Sequence, residues 1–195
     1  MPLRRCEFSR MAETREHSDD QARGILSELL GYVLSQQQFA EAKNGALLGL
    51  NVAVIMGLGA ILGAVNDAPW WLSTYTIWIS IGLGAAVALS LFSFLPRLTK
   101  SARQEATKDG PIGNPYFFMD IAEMGEARLV SEIYRKLKNE NEPGELIHDM
   151  ANQIATNAII ARRKHRVFRW SAQITLLSLA LPTVWLAVTT LIFRS

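Results

Sequence analysis

The chain has 195 residues, of which 49% are hydrophobic and 19% are charged, and its formal net charge is +2. A soluble domain carries about a quarter charged residues, so this composition argues against an ordinary soluble protein. The small net charge gives no support for nucleic-acid binding, and the single cysteine, Cys6, excludes an intramolecular disulfide. Arg4, Arg5 and Arg10 are followed by no apolar core, so a secretory signal is not expected.

Residues 1–45 are predicted to form an N-terminal cytoplasmic segment with an amphipathic helix over residues 15–40. Its apolar side chains recur at helical spacing and are Ile25, Leu26, Leu29, Leu30, Val33 and Leu34. A membrane-surface helix would carry several Lys or Arg, whereas Arg23 is the only basic residue between positions 21 and 42. We therefore expect the apolar stripe to pack on other helices.

Three uncharged stretches are long enough to cross a membrane, namely residues 46–65, 76–95 and 170–193. About 20 helical residues cover a hydrocarbon core of about 30 Å. Pro182 lies inside the third stretch, where it is expected to kink the helix or remove one backbone hydrogen bond.

Basic residues predict the orientation of the spans. The segment 66–75 has no Lys or Arg and carries Trp70, Trp71 and Tyr75, which suit a membrane interface. Basic residues follow the second span and precede the third: Arg97, Lys100, Arg103, Arg162, Arg163, Lys164, Arg166 and Arg169. The positive-inside rule then places residues 1–45 and 96–169 in the cytoplasm. The 66–75 hairpin and the C-terminus are expected on the opposite, external side of the membrane.

The region 96–169 is predicted to be a small helical cytoplasmic domain. A loop is expected over residues 107–115, followed by a helix from Tyr116 that stops at residues 139–144. No helix breaker separates Glu145 from the third span, so one helix is expected to continue into the membrane. No strand pattern occurs in the sequence. The predicted fold class is an all-α membrane protein with three transmembrane helices and this helical domain between the second and third.

The sequence contains no recognisable catalytic motif, so neither an enzyme nor catalytic residues are expected. His148 and Asp149, with Asp120 and Glu123 on the preceding helix, lack the spacing of metal ligands, so no metal site is expected. The basic run over residues 162–169 has two interpretations. It either contacts anionic lipid head groups or forms a phosphate-binding patch.

Asn51 lies in the first span, where it is expected to form an interhelical hydrogen bond, with pore lining as the alternative. Gly45 and Gly49, and likewise Gly59 and Gly63, lie one turn apart and allow close approach of another helix. These positions favour tight helix association and a homo-oligomer.

Three segments resemble the transmembrane effectors of Pycsar antiphage systems. They are Ala40–Asn51 (AEAKNGALLGLN), Asn114–Met124 (NPYFFMDIAEM) and the helix Gln153–Arg169, which becomes basic before the last span. The resemblance covers most of residues 36–190. It implies a partner cyclase that makes cyclic CMP or cyclic UMP, and an effector that senses this ligand and impairs the inner membrane, arresting or killing the infected cell.

Under this resemblance, residues of the basic helix and of the aromatic motif are candidate ligand-binding residues. Tyr116, Phe117 and Phe118 could stack on a base, Asn114 could hydrogen-bond to it, and Arg162, Arg163 or Arg166 could take the phosphate. Ordinary packing is the alternative for Phe117 and Phe118. Two other functions remain open from the sequence, a non-catalytic membrane scaffold or accessory subunit and a small oligomeric channel.

Overall fold

The computed structural model of the protein describes residues 3–65, 67–95, 113–138 and 142–192, with side chains from residue 19 onward. Within these ranges there is no strand, and the helices are α1 (Leu3–Ala64), α2 (Trp70–Phe94), α3 (Phe118–Met124), α4 (Glu126–Lys136) and α5 (Glu145–Ile192). Helices α1, α2 and α5 are long and apolar enough to cross a membrane. The predicted fold class, an all-α membrane protein with three spans, is confirmed.

Several sequence-based expectations concern residues outside the described ranges. They are the basic residues Arg97, Lys100 and Arg103, the loop over residues 107–112, the breaker residues 139–141 and the C-terminal residues 193–195.

Helix α1 is one unbroken helix of 62 residues. The amphipathic segment and the first span are therefore parts of a single helix, and residues 36–45 between them are helical. Helix α5 is likewise continuous for 48 residues and contains Pro182 within it. Its continuity agrees with the expectation drawn from the missing breaker after Glu145.

Helix α2 begins at Trp70, six positions before the predicted start of the second span. Pro69 takes the position before the first helical residue, with extended backbone angles, and its carbonyl accepts the N–H of Leu72. Trp70 is 78% exposed and Trp71 is 44% exposed at this helix end. An exposed pair of indoles at the end of a span suits the polar boundary of a bilayer.

The single helix expected from Tyr116 is wrong, because the structure divides it into α3 and α4 at Gly125. This glycine has a φ of 76°, and its N–H bonds to the carbonyl of Ile121 to close α3. A side chain at this backbone conformation would be strained, so glycine is the residue that permits the break. Helical periodicity alone does not reveal such a break, since apolar residues continue on both sides of it.

The chain divides into two compact units. The first, called the helical bundle, contains α1 up to Gln38, α3, α4 and α5 up to Arg163. Its hydrophobic core is formed by Ala22, Leu26, Leu29, Val33, Phe118, Ile121, Leu129, Val130, Ile133, Tyr134, Ile147, Ala151, Ile154, Ala158 and Ala161. The apolar stripe of α1 thus packs on α3, α4 and α5, although Leu34 is 40% exposed.

A buried carboxylate also stabilises the bundle. Glu132 is 8% exposed and accepts hydrogen bonds from Nε and Nη2 of Arg135 at 3.1 and 2.6 Å. The hydrogen bond from Arg135 lowers the pKa of Glu132. Burial of the carboxylate acts in the opposite direction, and the positive charges of Arg135, Arg128 and Lys136 lower the pKa further. Since the pKa is lower in the folded state, this stabilisation is complete above the ordinary carboxylate pKa and disappears as the pH falls through the lowered value.

Replacing Glu132 with glutamine is expected to make the melting temperature depend less on pH in the acid range. Melting temperatures of wild type and Glu132→Gln, measured in detergent from about pH 6 to about pH 3, should converge as the carboxylate is protonated. Glu28→Gln removes an exposed carboxylate from α1 and is the matched control. Parallel acid profiles for wild type and Glu132→Gln would contradict this contribution.

The second unit, called the membrane unit, contains residues 39–96 and 164–195. Helix α2 buries Ile79, Leu83 and Ala86 within it. Gly82 marks the close approach of α2 to α5, because a Cβ built there would lie 2.0 Å from Ser178 Oγ and 2.8 Å from Ser178 Cβ. The hydroxyl can rotate away, whereas the Cβ is fixed by the backbone of α5.

Alanine at Gly82 is expected to destabilise the membrane unit by about 1–3 kcal/mol, the usual cost of overpacking a close contact. Gly84→Ala is the matched control, because nothing lies within 4 Å of a Cβ at that position. Both variants gain the same helix propensity, so the difference between their melting temperatures in detergent isolates the contact with Ser178. Equal melting temperatures would show that α5 moves aside without cost.

Candidate functional site

The Asn114–Met124 motif opens with a turn that Asn114 holds together. Its side-chain Oδ1 accepts the N–H of Tyr116 at 3.0 Å, and its carbonyl accepts the N–H of Phe117 at 3.0 Å. Pro115 disfavours a helical conformation for the residue before it, so Asn114 remains outside the helix. The amide side chain then substitutes for backbone partners in the turn.

Asp120 fixes this turn onto the first turn of α3. Its Oδ2 accepts the backbone N–H of Asn114 at 2.8 Å, which agrees with a capping function for this carboxylate. A Cβ at Gly113 would lie 2.8 Å from Asp120 Cβ, so glycine allows the two segments to approach this closely. The conformation of the motif is therefore defined by its own hydrogen bonds.

The three aromatic residues of the motif have different environments. Phe118 is 6% exposed and belongs to the bundle core, whereas Tyr116 is 47% exposed and Phe117 is 42% exposed. The rings of Phe117 and Phe118 are 5.4 Å apart at an angle of 59°. Core packing thus accounts for Phe118, while Phe117 presents a ring to the surface on a fixed support.

Two cations are brought to the motif by the fold. Lys136 Nζ lies 4.4 Å from the centre of the Tyr116 ring, and Arg162 Nη2 lies 2.7 Å from Glu123 Oε1 on α3. Lys136 could not be found from the sequence, because it lies twenty positions beyond Tyr116 at the end of a helix that carries no motif. We define the aromatic surface as Asn114, Tyr116, Phe117 and Lys136.

The other predicted arginines lie further along α5. Arg163 is exposed at the end of the bundle, and Arg166 is exposed within the membrane unit. Lys164 forms an ion pair with Glu41. The structure therefore brings Arg162 to the motif helix, whereas Arg166 belongs to the other unit.

The predicted polar and small residues of the first span have distinct surroundings. Asn51 is fully buried and exchanges hydrogen bonds with Thr175 Oγ1 at 3.0 and 3.1 Å. A Cβ at Gly45, Gly49, Gly59 or Gly63 would have nothing within 4 Å. These glycines therefore contact no other described helix of the same chain, and a homo-oligomer that uses them stays a prediction.

Among the described residues, no group of three or more His, Cys, Asp or Glu side chains could hold a metal ion. His148, considered for such a site, instead places Nδ1 2.8 Å from Glu126 Oε1. This contact links α5 to α4 inside the bundle.

Comparison with known proteins decides the family. Residues 25–193 match the family described as the Pycsar effector protein domain. The chain belongs to the Pycsar effector family. This Pycsar effector is 26% identical over 156 residues to "Pycsar effector protein RsPycTM" of a Rhizobium species, covering 78% of this chain and 87% of the relative. No solved structure matches it.

The resemblance drawn from the three sequence segments is thereby confirmed. Family membership and three helices of span length together make the protein an antiphage membrane effector. Its helices contact the lipid bilayer, and its family works with a cyclase partner.

Proposed function

We propose that this Pycsar effector senses a cyclic pyrimidine mononucleotide, cyclic UMP or cyclic CMP, and impairs the inner membrane of the infected cell. The observation that carries the proposal is the aromatic surface. The exposed ring of Phe117 and the amide of Asn114 lie on a turn of fixed conformation, and the cation of Lys136 at the end of α4 lies beside Tyr116. The effector performs no catalytic step in this account. The nucleotide made by the partner cyclase acts as an activating ligand.

The recognition chemistry follows from the groups present. The exposed face of Phe117 can stack on a pyrimidine, and base stacking on aromatic side chains is favourable for every base. The Asn114 side-chain amide can donate to the carbonyl O2 that uracil and cytosine share. The single phosphate charge can pair with Lys136 near Tyr116, or with Arg162 in exchange for Glu123.

Helix α5 offers a route from binding to the membrane. It carries Arg162 and then continues without a break into the third span. A ligand shifts a conformational equilibrium by its difference in affinity for the two states. Drawing Arg162 from Glu123 to a phosphate would favour a rotated or displaced α5, and this displacement would open the membrane unit.

The proposed location is the bacterial inner membrane, with the N-terminus and the bundle in the cytoplasm and the C-terminus outside. Lys164, Arg166 and Arg169 directly precede the third span, whereas the segment between the first two spans has no basic residue. The positive-inside rule supports this orientation. It exposes the aromatic surface to the compartment in which a cyclase releases its product.

The test is the melting shift of the purified effector in detergent against cyclic UMP, cyclic CMP, cyclic AMP and cyclic dinucleotides. A ligand at 100 times its Kd stabilises the folded state by about 2.7 kcal/mol. We expect a rise in melting temperature with cyclic UMP or cyclic CMP and none with the others. A cooperative melt that no nucleotide shifts would overturn the sensor proposal and favour a non-catalytic scaffold.

A further inference from the structure

A series of paired polar side chains joins α1, α2 and α5 along the membrane unit. Two of the pairs are buried, two are part-buried, and the last, Tyr75 with Thr183, is exposed. Starting from the ion pair of Glu41 with Lys164, it contains Asn44 with Ser93, Ser90 with Ser171, Asn51 with Thr175, and Tyr75 with Thr183. Asn44, Asn51, Ser90 and Ser171 are fully buried. We call these five pairs the polar line.

The polar line begins before the predicted first and third spans and continues into them. Along α5 its members run from Lys164, before the predicted third span, to Thr183 within it. The part inside the span, from Ser171 to Thr183, is about 18 Å long at a rise of 1.5 Å per residue. The hydrocarbon core of a bilayer is about 30 Å thick. The pairs occur at successive depths. Ser171 is hydrogen-bonded to Ser90, and Thr175, one turn further along α5, is hydrogen-bonded to Asn51.

Helix adhesion alone does not require such a series. Spans associate well through small residues and a few polar contacts, as the approach of Gly82 to Ser178 illustrates. Every further polar group in the interior must find a partner to avoid the penalty of burial in hydrocarbon. A series of polar pairs that continues from the cytoplasmic side into the spans suits a path for polar species.

Asn44 supplies an independent observation. It is fully buried, its Nδ2 donates to Ser93 Oγ at 3.0 Å, and its Oδ1 has no hydrogen-bond partner among the described residues. A buried carbonyl oxygen without a protein partner is a typical binding position for a water molecule. Asn44 lies near the Glu41 end of the polar line, where water from the cytoplasmic side would enter.

We propose that the polar line is the route by which water and small ions cross the membrane when the effector is active. This inference rests on the proposed function and names the site of membrane impairment. In the closed state these amides and hydroxyls bond to one another or to backbone carbonyls, except for Asn44 Oδ1. When α5 moves, water replaces these partners, so the groups that hold the helices together become the lining of a hydrated path.

The test measures access of water-borne reagents to the polar line in the full chain, reconstituted in lipid vesicles loaded with a small dye. Cys6→Ser removes the native thiol, and Ser90→Cys then places a thiol of nearly the same shape in the line. Ala88→Cys is the matched control, because Ala88 lies two positions away on the exposed face of α2. A charged thiosulfonate is added with and without cyclic UMP or cyclic CMP.

We expect Ser90→Cys to react only when the nucleotide triggers dye leakage, and Ala88→Cys to remain unmodified in both conditions. If dye leaks while the Ser90→Cys thiol stays unmodified, or if the thiols of Ser90→Cys and Ala88→Cys react equally, the polar line is not the path. Either result overturns this inference and leaves the proposed function standing. Absence of leakage with every nucleotide overturns the proposed function and this inference together.

A second variant separates a path from simple adhesion. Thr175→Val keeps the shape of the side chain and removes the hydroxyl that bonds to Asn51. If the polar line conducts, nucleotide-triggered leakage falls in this variant although the helices remain packed. Leakage that is unchanged or greater, in a protein with an unaltered melting temperature, shows that the line serves adhesion only and overturns the proposal.

Discussion

Alanine at Phe117 is expected to weaken the binding of cyclic UMP or cyclic CMP while leaving the bundle stable. Stacking of a base on an aromatic side chain contributes about 1–3 kcal/mol, so affinity should fall about 5- to 150-fold. Phe117 is 42% exposed and lies outside the bundle core, so its loss leaves no cavity. Titration calorimetry in detergent measures the affinity, and a melting curve on the same sample measures the stability.

Met119→Ala is the matched control for this prediction. Met119 is 39% exposed on the same segment and has no aromatic ring. Its removal should leave nucleotide affinity unchanged, because it offers no face for stacking. Equal losses of affinity in the two variants, or no loss in either, would place the base elsewhere on the bundle.

Alanine at the neighbouring Phe118 is expected to have the opposite pattern. Phe118 is 6% exposed and packs in the core with Ile121 of the same helix. Truncating a buried phenylalanine costs about 3–5 kcal/mol, a large share of the roughly 5–15 kcal/mol that stabilises a domain. The melting temperature of the bundle should therefore fall by about 10 °C or more.

Phe118→Leu provides the comparison for the core position, because it retains most of the apolar volume. We expect it to recover most of the lost stability, whereas leucine at Phe117 should not recover nucleotide affinity. Two adjacent phenylalanines would then have separate functions, one in folding and one in recognition. A small effect of Phe118→Ala on melting would mean that the bundle core does not depend on α3.

The three spans and the all-helical fold could be predicted from the sequence because they depend on residues that are neighbours in the chain. Three uncharged stretches of span length, the absence of a breaker after Glu145 and the missing strand pattern all follow from neighbouring residues. The break at Gly125 was not accessible in the same way. A glycine inside an apolar periodic segment is compatible with a continuous helix, whereas the structure gives Gly125 a positive φ of 76° that ends α3.

The candidate site was only partly accessible, since pairs distant in sequence depend on how helices rotate about their axes. The aromatic motif and Arg162 could be named, but the proximity of Lys136 to Tyr116 could not. The glycine pairs of the first span illustrate the same limit. Their spacing is that of a helix contact, yet the close approach inside this chain is at Gly82, opposite Ser178.

Leakage from dye-loaded vesicles tests the central claim, a membrane effector opened by a cyclic pyrimidine nucleotide, most directly. The full chain is reconstituted, and cyclic UMP, cyclic CMP or cyclic AMP is supplied on both sides of the bilayer so that orientation has no effect. We expect rapid release of dye with cyclic UMP or cyclic CMP, little release with cyclic AMP or buffer, and a higher nucleotide requirement for Phe117→Ala. Release that is the same with and without nucleotide, or absent with all three, would contradict the account.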